Sequence, residues 1–125
     1  MEQNNTKRIA VNQWFDARIE ETRQREQQLR RDSRADEAIF ARIENNIYQV
    51  FKTVFAAAIK AHGDDDAAVG DFFKQKLITI PATWHETVVK AVQHGDLEAA
   101  HVETRKIAAA DDIKAAFYRI WETEA

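Results

Sequence analysis

Glu98 and His101 form the one Glu-x-x-His spacing in the chain. On a helix, positions i and i+3 leave the same face, which is how dinuclear carboxylate sites in bundles present two of their ligands. Such a site needs a second Glu-x-x-His pair and two further glutamates. One chain cannot complete it by this pattern, although a second copy could bring another pair. Glu98 and His101 are therefore weak metal candidates, with His85 or His94 as further nitrogen donors, and an ordinary surface pair is the plainer reading. Asp64, Asp65 and Asp66 are three adjacent carboxylates. A calcium loop of the EF-hand type needs alternating ligands, a glycine at its sixth position and a glutamate at its twelfth, a pattern that is not met. The run suits the positive end of a helix dipole instead.

Nucleophilic chemistry has little to work with. The chain has no cysteine, which excludes disulfides and thiolate metal sites, and Ser33 is its one serine. Its three glycines are isolated, so no phosphate-cradling loop exists. No catalytic residue and no cofactor is expected, and the reading leans away from an enzyme. Arg23, Arg25, Arg30 and Arg31, with Leu29 among them, mark a candidate interaction surface. Glu20, Glu21, Glu26 and Asp32 are interleaved with these cations and would repel phosphates, which argues against DNA or RNA. Trp14, Trp84 and Trp121 sit among aliphatic residues at helical spacing and read as core.

These residues must be placed by helices. Three glycines and one proline in 125 residues are too few for a turn-rich β fold. The length is that of one domain, and 45% apolar residues suffice for a core. The expected fold is all-α, a four- or five-helix bundle with a long central helix. A first, polar helix is read over 6–34, with Thr6 as its N-cap; it projects from the bundle or lies at a dimer contact. Val11, Phe15 and Ile19 give its first half an apolar stripe, which fades beyond residue 20. Ser33 and Asp36 have capping-box spacing for the second helix. That helix carries Ile39, Ile43, Ile47, Val50, Val54 and Ala58, flanked by Phe40, Phe51, Phe55 and Ile59.

His62-Gly63-Asp64 recurs as His94-Gly95-Asp96. Each reads as a helix stop, a left-handed glycine and a new helix start. Gly70 weakens the third helix. Pro81 is expected to end it, with Thr83 and Glu86 capping a fourth. A fifth helix runs from Leu97 and changes its apolar face near Asp111.

Net charge is −3, with no strong electrostatic signature. No apolar run is long enough to cross a membrane, and the polar start, Met1 to Arg8, lacks an apolar leader core. The cytoplasm is the expected compartment. The leading expectation is a non-enzymatic helical protein that acts by binding a protein partner or a second copy of itself, a homodimer included. A metal- or small-ligand-binding bundle and a nucleic-acid-associated regulator using the arginine-rich helix are the alternatives.

Overall fold

The computed structural model describes residues 2–122. Four α-helices follow one another: α1 (Glu2–Arg31), α2 (Ala35–His62), α3 (Asp66–Gln93) and α4 (Leu97–Glu122). Their lengths are 30, 28, 28 and 26 residues, so length does not single out α2, although α2 packs on all three others. Connections of three residues make sequence neighbours antiparallel. The C-terminal ends of α1 and α3 therefore share one end of the bundle with the N-terminal ends of α2 and α4.

The helix boundaries come from local chemistry. Gly63 and Gly95 adopt φ of 58° and 74°, a region that costs a side-chain-bearing residue energy. Asp65 accepts a hydrogen bond from the Ala68 amide and caps α3. Asp96 does the same for α4 through the Ala99 amide at 3.1 Å. The two His-Gly-Asp triplets thus both mark turns, but one residue out of step: Asp64 lies within the first turn and Asp65 caps, whereas Asp96 follows Gly95 directly.

Three expected boundaries are corrected. Thr6 is no N-cap, because α1 begins at Glu2. Ser33 does not cap α2. It is the C′ residue of α1, with φ 62°; its amide bonds Arg30 O at 3.1 Å and the Arg34 amide bonds Leu29 O at 2.8 Å, the paired bonds of a Schellman motif. Arg34 occupies the N-cap of α2 with no side-chain cap bond and pairs with Glu37. Pro81 does not end α3; it lies buried inside it. A proline inside a helix costs about 3 kcal/mol. Continuing the helix keeps Phe73 and Leu77 before it and Trp84 after it in one core cluster, which offsets that cost. Thr83 is consequently mid-helix, where its hydroxyl donates to Ile80 O at 3.2 Å, and the described residues form four helices.

The large core side chains occupy one half of the bundle. They are Val11 and Phe15 of α1, Ile47 to Phe55 of α2, Val69 to Leu77 of α3, and Ile113, Phe117 and Trp121 of α4. In the other half the buried side chains are small or polar: Thr22, Ala38, Ala41, Asn45, Ala91 and Ala100. Ile39, Val89, Val92 and Leu97 of that half remain exposed.

Candidate interaction surface

The arginine-rich stretch is largely neutralised within its own helix. Arg23 pairs with Glu20, Arg30 with Glu26 at 2.8 Å, and Arg25 with Glu21 at 3.4 Å. The hydrogen bond from Arg23 holds the Glu20 carboxyl below its ordinary range. Arg31 is exposed in the last turn. Arg25 alone of this set also reaches another helix, meeting Glu44 of α2 at 2.9 Å. It shares a cleft of about 220 Å³ with Leu29, Arg34, Phe40, Glu44 and Arg105. Of the five expected surface residues, the structure therefore brings Arg25 and Leu29 together at one opening and turns Arg23 and Arg30 to other carboxylates. The helix itself lies along α2. Asn45, buried, donates to Ile19 O at 2.7 Å and to the Thr22 hydroxyl at 2.9 Å.

Glu98 and His101 are both exposed. His101 stacks on Phe40 with ring centroids 4.6 Å apart. His62 meets the edge of Phe72 at 5.6 Å, His85 is exposed on α3, and His94 lies in the turn before α4. Among the described residues no group of three or more His, Asp or Glu could hold a metal ion, and no helix is long and apolar enough to cross a membrane.

One polar network escaped the sequence reading. The Tyr48 hydroxyl donates to Asp112 at 2.8 Å, and Arg18 Nε donates to the same oxygen at 3.0 Å. Arg18 also lies over the Trp14 ring, 5.2 Å from its centroid, and Trp14 packs edge-on to Tyr48 at 5.8 Å. Burial, then the bond to Asp112, pushes the Tyr48 hydroxyl far above its ordinary value. The tyrosine is thus a locked neutral donor. In the unfolded chain it ionises near pH 10, while the folded chain keeps the proton. Stability should therefore be insensitive to Tyr48 below that pH and decline above it, by at most about 1.4 kcal/mol per pH unit. Urea unfolding of the wild type and of Tyr48→Phe across pH 9 to 11.5 reads this; the wild type should lose stability faster, and parallel curves would contradict it.

The outer face of α3 is the least expected surface. Val69, Phe73, Leu77, Pro81 and Ala91 point inward. On a flank of the helix beside them Ile78, Ala82, His85, Val89 and Val92 are all exposed, Ile78, Val89 and Val92 by 62%, 56% and 55%. Their spacing is four-three-four-three, the seam of a coiled coil, and it contains no acid, lysine or arginine. Leu97, 70% exposed, follows just past the turn. A surface helix normally turns charge to water on this side.

The fold and this surface define an antiparallel four-helix bundle with an apolar stripe on one outer face. No protein-family model matches the chain, and neither a curated protein nor a solved structure matches it.

Proposed function

We propose that the protein acts through protein–protein association, with the outer face of α3 as the docking surface and a second copy of the chain as its occupant. The uncharged stripe from Ile78 to Val92 carries this reading. A helix that packs on such a seam must carry the same spacing itself, and α3 does. In an antiparallel, two-fold pairing, Ile78 of one protomer faces the partner's Val89, and Ala82 faces the partner's His85. Two large aliphatic side chains then meet in the outer layers and a small one meets a large one in the inner layers, and every contact occurs twice.

The stripe spans about 21 Å at 1.5 Å per residue. Fully burying a valine or isoleucine contributes about 1.5–3 kcal/mol, and these side chains are already partly covered. Association itself costs at least about 4 kcal/mol. The expected complex is therefore weak and concentration-dependent. A cysteine-free chain suits the reducing cytoplasm in this reading. Light scattering behind size exclusion, over a concentration series, tests it. The wild-type mass should rise from 14.4 kDa towards twice that value, and Val89→Glu should hold it at the monomer mass with an unchanged circular dichroism spectrum. A wild type that stays monomeric at the highest concentrations would refute the proposal.

A further inference from the structure

We infer that Glu44 is a clasp that holds the alanine-lined half of the bundle closed. That half contains no large, fully buried side chain, because every residue of the aromatic core lies beyond it. Buried alanines and the Asn45 hydrogen bonds give this half less apolar burial than the aromatic half, so polar ties carry more of the hold on its helices. Glu44 of α2 is well placed to supply such ties. One of its carboxylate oxygens meets Arg25 of α1 at 2.9 Å and the other meets Arg105 of α4 at 3.4 Å. Its side chain is only 14% exposed, against 44% for each arginine.

One carboxylate therefore ties three helices. A further tie between α2 and α4 here is Phe40, which stacks on His101 and lies under the Arg105 guanidinium at 5.1 Å. Arg105 thus contributes to both ties. Releasing Glu44 frees the end of α1 and weakens the hold of α4 on Phe40 in one step. The cleft already open beside it, lined by Leu29, Phe40 and Ala41, would widen and expose apolar surface. The aromatic half does not depend on the clasp. Opening is accordingly local, below the free energy of global unfolding.

Amide hydrogen exchange on the full chain tests the inference with Glu44→Gln and a control, Glu37→Gln. The control removes the same charge from a residue paired with Arg34, only three positions away on the same helical end. In Glu44→Gln, amides in 22–31 and 97–106 should exchange about three- to tenfold faster, consistent with loss of two partly exposed ion pairs. Amides in 47–58 and 109–121 should not change, and Glu37→Gln should match the wild type throughout. Equal acceleration in both variants, acceleration spread over all four helices, or none in Glu44→Gln would each overturn the clasp. Should Glu44→Gln fail to fold, the wild type in about 1 M salt, where exposed pairs are screened, provides the second reading. Faster exchange confined to 22–31 and 97–106 supports the clasp, and any other pattern contradicts it.

Discussion

Phe73→Ala should lower the unfolding free energy by about 3–5 kcal/mol, the range for deleting a buried phenylalanine. Phe73 is fully buried and touches an aromatic ring from each of the other helices. Phe15 lies 6.3 Å away, Phe51 6.1 Å and Phe55 5.6 Å, all edge-on, and Phe117 is tilted against it at 4.5 Å. Removing the ring strips four edge or face contacts and leaves a void enclosed by rigid groups. Such walls relax poorly, which places the cost high in its range. Domains of this kind hold only about 5–15 kcal/mol in total, so the variant should be near the limit of folding at 37 °C. Val89→Ala, on the exposed stripe of the same helix, should change stability by no more than about 0.5 kcal/mol. Urea unfolding followed by circular dichroism compares the two, and similar midpoints would contradict the assigned core.

Gly70→Ala should destabilise although alanine is the better helix former. By propensity alone the substitution in mid-helix stabilises by about 1 kcal/mol. The structure opposes this. A Cβ on Gly70 would lie 2.5 Å from Trp121 Nε1 and 2.9 Å from its Cδ1. The indole cannot step aside at low cost. It is stacked on Phe117 at 5.1 Å and edge-on to Phe55 at 5.8 Å, and its N–H donates to Asp66 O at 3.3 Å. Overpacking of this kind costs about 1–3 kcal/mol or more, and the severity of the overlap puts Gly70→Ala at or beyond the upper end. A net loss of about 2 kcal/mol is expected after the propensity gain. Adding Trp121→Phe, which replaces the indole by a smaller ring without Nε1, should make Gly70→Ala less harmful than it is beside tryptophan. A thermal melt in which Gly70→Ala exceeds the wild type would mean the close approach does not exist.

Helices and their glycine stops were legible in the residues, because apolar spacing and left-handed glycines are local signals. The phase was legible on α1, where Val11 and Phe15 are buried, but not throughout α2 and α4. Periodicity drew attention to Ile39 and Val50, yet these are 48% and 44% exposed, while Ala38, Ala41, Phe51 and Phe55 are buried. Alanine is buried where helices approach closely, and it carries no hydrophobic emphasis of its own. On α4 the face containing Ala110, Ile113, Phe117 and Trp121 is buried; of the other expected face, Leu97, Ala100, Thr104 and Ala108, only Ala100 is buried. Gly70 read as a weakness because a packing partner fifty-one positions away, Trp121, leaves no trace in its neighbourhood. Pro81 and Ser33 were misplaced for a related reason: tertiary packing overrode a local preference at one, and a cap type usually filled by glycine was met at the other.

For the surface, the arginines and Leu29 were visible as a cluster, but their ion-pair partners were only partly so. Glu21 with Arg25 and Glu26 with Arg30 follow from i,i+4 spacing; the link from Arg25 to Glu44 crosses helices and does not. The stripe on α3 was hidden by the expected break at Pro81, which split its residues between two helices.

The clasp rests on unequal packing along the bundle, and the docking stripe lies on its alanine-lined half; native-state hydrogen exchange of the wild-type protein, resolved by residue, tests that inequality most directly. Slowest exchange is predicted in 47–58, 69–77 and 109–117, with lower protection in 22–31, 38–44 and 97–106. Protection that stays level from end to end of each helix would contradict it.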